Sequence, residues 1–133
     1  MDCLFCKIIN KDIPSYKIYE DDYVYAFLDI AGDVDGHTLV IPKKHFKSIL
    51  DCDKEVCKNV FLAVQKISKH YVEDCGYDGV NIFNANDESA QQSVFHFHVH
   101  IVPRKHNDGI DGFPHFDGAK LKLSDIVKKL EIK

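Results

Sequence analysis

The chain has no apolar run long enough to span a bilayer. Its opening residues, MDCLFC, place an acid and two thiols where a secretory leader would carry basic and greasy regions. It also lacks any surplus of positive charge: 17 Lys and Arg stand against 21 Asp and Glu, for a formal net charge of −4 and a pI near 6.0. Nothing supplies the basic stripe that tracks phosphates along a polymer, which argues against a nucleic-acid partner. Small anionic ligands need only local donors and stay open. An even complement of thiols is missing too, since the cysteines number five, at positions 3, 6, 52, 57 and 75. An odd set in a leaderless chain indicates a reducing compartment, where cysteines are buried thiols or metal ligands. The expectation is a cytoplasmic protein with no membrane partner. Internal repeats and low-complexity segments are likewise missing.

What is there suits a single globular domain of 133 residues, 45% apolar and 29% charged. KIYEDDYVYAFLDI predicts two strands around Glu20-Asp21-Asp22; in the second, Tyr23, Tyr25, Phe27 and Asp29 alternate with Val24, Ala26, Leu28 and Ile30. A turn at Gly32, Asp33, Asp35 and Gly36 leads to HTLVIP, a third strand ended by Pro42. From Asp53 to Cys75 the period becomes helical, through Val56, Val60, Ala63, Ile67 and Tyr71, with Asp53 as N-cap and Gly76 as stop. GVNIFNA predicts a fourth strand, and the polar NDESAQQS leads to a fifth. A loop rich in Gly, Asp and Pro runs from Arg104 to Gly118, before a short helix, LSDIVKKLEI, capped by Ser124. The predicted class is α+β: an antiparallel sheet of about five strands, one long helix and a short C-terminal helix.

The fifth strand reads VFHFHVHIV, residues 94 to 102. Strict alternation puts Val94, His96, His98, His100 and Val102 on one face and Phe95, Phe97, Val99 and Ile101 on the other. Three imidazoles in register on a wet face would contribute nothing to folding. Side chains two apart on a strand are roughly 6.5 Å apart, and the outer pair about 13 Å, so one ion cannot take all three. A zinc site would need further ligands. Cys3-Leu4-Phe5-Cys6 offers a CxxC hook, too near the start of the chain for a thioredoxin-like redox context. His45 and His96 are candidates to complete a Cys2His2 shell, and His37, His70, His106 and His115 compete on spacing alone. For catalysis, an imidazole near pKa 6.5 is roughly three quarters free base at neutral pH and can attack phosphorus unaided. A second can donate to a phosphoryl oxygen or protonate a departing group, and a third can fix a tautomer. Asn84, Asn86, Ser89, Gln91, Gln92 and Ser93 could add donors for phosphate oxygens or a leaving group, or simply form a polar loop. Asp29 could accept from ribose hydroxyls or merely end a strand.

Read as His-φ-His-φ-His-φ-φ, with φ apolar, HFHVHIV resembles the signature of the histidine triad superfamily of nucleotide hydrolases and transferases. CLFCKIINKDIPSYKIYEDD, AFLDI, HTLVIPKKHF and QSVFHFHVHIVPR resemble corresponding stretches of its Hint-like branch, particularly microbial members. Only the tail, residues 105 to 133, has no clear counterpart.

The resemblance implies a homodimer joined sheet edge to sheet edge, and a purine nucleotide bound with its α-phosphate beside the triad. It implies that His98 is the nucleophile of a nucleotidyl-histidine intermediate, that His100 contacts phosphate and that Ser93 and Gln92 lie near the leaving group. Asn84 or Asn86 would bind phosphate, with the choice left open because the loop is a residue longer than in animal-type relatives. Asp29 would bind ribose, and Ile30, with Phe5 and Ile8, the base. A structural zinc would be held by Cys3, Cys6, His45 and His96. Relatives usually carry Gly where this chain has Gln91, at a point where a backbone N–H approaches phosphate. The activity implied is a phosphoramidase cleaving P–N, or more generally P–X, bonds next to a nucleoside monophosphate. Val102-Pro103-Arg104-Lys105 is also similar to the ending of dinucleoside polyphosphate hydrolases, where Arg104 would favour a longer polyphosphate. A non-catalytic nucleotide-binding or interaction module is the alternative from another class.

Overall fold

A computed structural model describes residues 2–133. The alternating segment forms β1 (Lys17–Glu20) and β2 (Val24–Leu28), joined by a turn in which the Asp21 carboxylate accepts the N–H groups of Tyr23 and Val24, each at 2.8 Å. A short acidic side chain closes such a turn by standing in for a backbone acceptor. β3 (Thr38–Pro42) pairs antiparallel with β2, from Val24 opposite Pro42 to Leu28 opposite Thr38. β5 (Val99–Arg104) lies between β3 and β4 (Gly79–Phe83), completing a five-stranded antiparallel sheet ordered β1-β2-β3-β5-β4.

The long helix α2 (Lys54–Glu73) crosses one face of the sheet. Its Val60, Val64 and Ile67 pack with Val24, Val40, Phe97, Val99 and Ile101 in the larger core. Each aliphatic side chain so buried stabilises the fold by about 1.5–3 kcal/mol. The Thr38 and Tyr71 hydroxyls, 2.6 Å apart, tie helix to sheet. Asp53 holds the N-cap with extended backbone but without a side-chain cap bond, and Gly76, at φ +83°, turns the chain away after the helix. The opposite face carries Tyr25, Phe27, Leu39 and Ile41, covered by a one-and-a-half-turn helix, α1 (Leu4–Ile9), through Phe5 and Ile8.

Three elements differ from the sequence expectation. The CxxC hook is itself helical: the Cys3 sulfur caps α1 by accepting the Cys6 N–H at 3.4 Å. The histidine strand begins at Val99 and not at Val94, because the preceding backbone bonds outside the sheet, with the Phe97 N–H on the Phe46 carbonyl at 2.7 Å. Phe95 is consequently 43% exposed beside Lys47, while Phe97 is fully buried. The C-terminal helix α3 (Leu123–Leu130) is capped by Lys122, whose carbonyl accepts from Asp125 and Ile126, so Ser124 lies inside the first turn. No helix among the described residues is long and apolar enough to cross a membrane.

Candidate active site and metal centre

The α1 hook and the start of the histidine segment converge on one point. Cys3, Cys6, His45 and His96 bring their ligand atoms within 4.8 Å of one another. Sulfur to Nδ1 distances are 3.4 Å for Cys3–His96, 3.5 Å for Cys6–His45 and 3.6 Å for Cys6–His96, and the two Nδ1 atoms are 3.1 Å apart. A tetrahedral ion about 2.0–2.3 Å from each ligand separates nitrogen and sulfur ligands by roughly 3.3–3.8 Å, so the set fits zinc. The tautomer fits as well. His96 Nε2–H donates to the Pro42 carbonyl at 2.8 Å, which leaves the Nδ1 lone pair facing the thiols.

His98, two residues on, is not part of this cluster. Its Nδ1–H donates to the His96 carbonyl at 2.7 Å, so Nε2 keeps its lone pair. The ring meets Phe5 edge-on at 5.1 Å, and the histidine row is therefore roofed by α1 and not wet. Burial lowers the basicity of His98 against the opposing pull of the His96 carbonyl. His100 is pushed down to about 4, first by burial and then by the neighbouring His98 and His37. Its Nδ1 lies 2.9 Å from His37 Nε2, and His37 Nδ1 lies 3.0 Å from the Asp33 carboxylate and 3.7 Å from that of Asp29. On sequence spacing His37 is only a competitor for zinc. Its signal was an aspartate four residues upstream, at the start of the strand that pairs with the histidine strand.

Both rings line a cavity of about 340 Å³ whose walls include Phe5, Ile8, Phe27 and Leu39, with Asp29, Ile30 and Ser93 also on its lining. It is apolar apart from Asp29, Ser93, Ser15 and the two imidazoles, the composition of a small-molecule pocket. Ile30 is 86% exposed. The remaining predicted donors have other partners. Gln92 is buried, accepting from the Asp87 N–H through its amide oxygen and donating to the Lys47 and Val94 carbonyls through its nitrogen. Asn86 accepts the Ile49 N–H at 2.8 Å and donates to the Asn84 oxygen at 2.5 Å, while Asn84 donates to the His98 carbonyl at 2.8 Å. Asn84 therefore bears directly on the His98 backbone, and Asn86 secures the loop behind it.

That loop is strained at two points. Asp87, at φ +88° and ψ 156°, and Gln91, at φ +69°, flank a 3-10 turn at Glu88–Ala90 and occupy backbone regions that favour glycine. Gln91 caps the turn from the left-handed region with an exposed side chain, a conformation that glycine adopts without strain. Gln91→Gly is expected to leave stability within about 1 kcal/mol of the parent, because the relief of strain opposes the greater entropy of the unfolded chain. Chemical denaturation checks this; a loss above about 2 kcal/mol would show that the Gln91 side chain holds the loop. Arg104 is also committed: it donates to both Asp108 oxygens at 2.8 Å, to Asn81 at 2.6 Å and to the Ile110 carbonyl.

Comparison with known proteins places these features in a known group. A family model described as "HIT domain" matches residues 10–107. An uncharacterized HIT-like protein of Borreliella burgdorferi is 50% identical over 124 residues, covering 92% of this chain and 87% of that one. An adenosine 5′-monophosphoramidase of Saccharomyces cerevisiae is 35% identical over 130 residues, covering 96% and 80%. The crystal structure of a zinc-bound histidine triad family protein from Mycobacterium smegmatis superposes with a TM-score of 0.80 at 38% identity, covering 84% and 81%. The matched span takes in the histidine segment, its paired strands and the loop ahead of it, and the chain belongs to the HIT domain family.

Proposed function

We propose that the protein is a nucleoside phosphoramidase that works through a nucleotide covalently bound to His98. The observation that carries this reading is the His98 ring: Nδ1–H is locked on the His96 carbonyl at 2.7 Å, and the free Nε2 belongs to a residue on the wall of a nucleotide-sized pocket. Nε2 attacks the α-phosphorus as the bond from phosphorus to the leaving amine breaks. The positive charge that develops on the ring is stabilised by the carbonyl dipole at Nδ1. The amine takes up one proton as it leaves, and His100 and the Ser93 hydroxyl, both on the pocket wall, are the groups at hand. Water then attacks phosphorus, the P–Nε2 bond breaks, and the water's proton replaces the one delivered to the amine.

For His100 to present Nε2–H to a phosphate oxygen, its Nδ1 must accept from His37, which then donates through both nitrogens. Asp33 and Asp29 supply the countercharge for that arrangement. His37 is thus a positioning residue for His100. Asp29 and Ile30 fall to the ribose and base, Asn84 to the backbone of the nucleophile, and Gln92 to the loop that sets Ser93 in place. Cys3, Cys6, His45 and His96 would hold a structural zinc, which when bound fixes the segment that orients His98. A purine nucleotide in a homodimer is the form we infer, with support from the open edge of β4, where Ile82 and Phe83 stay exposed.

The Arg104 contacts favour this reading over a dinucleoside polyphosphatase. A guanidinium bound to Asp108, Asn81 and Ile110 is not free to meet extra phosphates. Comparing kcat/KM for adenosine 5′-phosphoramidate and diadenosine tetraphosphate is expected to favour the phosphoramidate by at least about 100-fold, some 2.7 kcal/mol of transition-state binding. A preference for the tetraphosphate would reject the assignment.

A further inference from the structure

The C-terminal end of α2 carries a thiol, an imidazole and a carboxylate in contact with one another, outside both the His98 pocket and the metal cluster. His70 Nδ1–H donates to Asp74 at 2.7 Å, and the Nε2 lone pair that this leaves meets the Cys75 sulfur at 3.6 Å. Helix geometry builds the set. His70 and Asp74 stand one turn apart on the same face, and Cys75 follows Asp74, the C-cap, before Gly76 turns the chain away. In this order the imidazole can take the thiol proton, and Asp74 and the carbonyl end of the helix both stabilise the imidazolium that results. The other four thiols are placed differently. Cys75 is exposed, whereas Cys3 is buried and Cys6, Cys52 and Cys57 are half-buried. Cys3 and Cys6 belong to the metal cluster, and burial pushes the Cys52 thiol up to about 11. Among the described residues Cys75 is the thiol outside that cluster that meets an imidazole.

The surroundings select the chemistry. A helix C-terminus gathers carbonyl oxygens and not the N–H donors that the oxyanion of an acyl transfer needs, whereas thiol–disulfide exchange places its charge on sulfur. His70 and Asp74 also line a cleft of about 580 Å³ between α2 and β1, with Tyr19, Lys66, Lys69 and Glu73 among its other walls. This is the β1 end of the sheet, opposite the β4 edge assigned to the homodimer. Lys66 and Lys69 outweigh Glu73 once the His70 imidazolium matches Asp74, so the cleft favours an anion beside the sulfur. We propose that Cys75 is a thiol–disulfide exchange site for acidic low-molecular-weight disulfides, with His70 as its base and Asp74 positioning His70. His70 Nε2 takes the Cys75 proton, and the thiolate attacks one sulfur of the disulfide. The new S–S bond forms as the old one breaks, and the departing thiolate takes the proton from His70.

Glutathione disulfide and cystamine, an anionic and a cationic disulfide, test this on the full chain with zinc supplied. Intact-mass spectra and peptide mapping are expected to show the first glutathione adduct on Cys75, and no adduct on Cys75→Ser over the same interval. His70→Gln should slow the reaction about tenfold at neutral pH but less than about twofold at about pH 10, where the thiol ionises unaided. Asp74→Asn should slow it about threefold at neutral pH. Lys69→Gln should lower the rate with glutathione disulfide relative to cystamine by about threefold. All four side chains are exposed, so the substitutions spare the core. The rates are read without nucleotide, which separates them from the phosphoramidase assignment. A first adduct on another cysteine, or equal rates for the wild type and His70→Gln at neutral pH, overturns the site. An unchanged ratio in Lys69→Gln overturns the preference for acidic disulfides.

Discussion

His98→Asn is expected to lower kcat/KM for adenosine 5′-phosphoramidate by about 10⁴-fold or more while the fold and the affinity for AMP change by no more than a few-fold. Asparagine is the informative replacement. Its side-chain nitrogen can keep the donation to the His96 carbonyl that the histidine makes at 2.7 Å, so no buried acceptor is orphaned. What it removes is Nε2. His98 is 4% exposed, and an alanine there would confound lost chemistry with a cavity and a lost hydrogen bond. Single-turnover kinetics with AMP titration checks the pair of outcomes. Residual turnover within about tenfold of the parent would mean that His98 is not the nucleophile and that water attacks directly.

The second large effect concerns the four-ligand cluster. Cys3→Ser is expected to abolish stoichiometric zinc, taking metal content from about one ion per chain to near zero, and to lower the melting temperature by roughly 10 to 15 °C. That drop corresponds to about 4 kcal/mol, the stabilisation from a ligand present at about a thousandfold above its Kd. Cys6 lies in α1 and Cys3 caps it, and Phe5 and Ile8 of this helix cover the aromatic face of the sheet; loss of a bound ion is expected to free a wall of the pocket along with the hook. Elemental analysis and thermal melts with and without a chelator measure both effects. Full zinc occupancy in Cys3→Ser would move the metal elsewhere, and an unchanged melting temperature on zinc loss would remove its structural role.

The regular elements were legible where periodicity was long. The spacing Val60, Ala63, Ile67 and Tyr71 marks the buried stripe of α2, and the alternation of Tyr25 and Phe27 against Val24 and Ala26 gives two faces packed against different layers. α1 was not legible, because six residues give too little periodicity and the thiols drew attention to metal chemistry; the i, i+3 pair Phe5 and Ile8 was the only trace. The histidine segment was read as one strand because alternation does not report hydrogen bonding. His96 and His98 alternate with Phe97, yet the Phe97 N–H bonds to the Phe46 carbonyl, and the carbonyls of His96 and His98 accept from the side chains of His98 and Asn84. The division of the triad into a metal-facing and a pocket-facing histidine came from family resemblance, not from spacing. The geometry adds its cause in the opposite tautomers of His96 and His98, each fixed by a carbonyl. His37 depends on a contact across 63 residues, which local pattern does not encode.

The central claim is that a nucleotide resides on His98 between two displacements at phosphorus. The stereochemical course of hydrolysis tests this most directly, using an adenosine phosphoramidate made chiral at the α-phosphorus with oxygen isotopes. Two in-line steps, one by His98 Nε2 and one by water, predict net retention of configuration. Net inversion would show a single direct displacement by water and contradict the account.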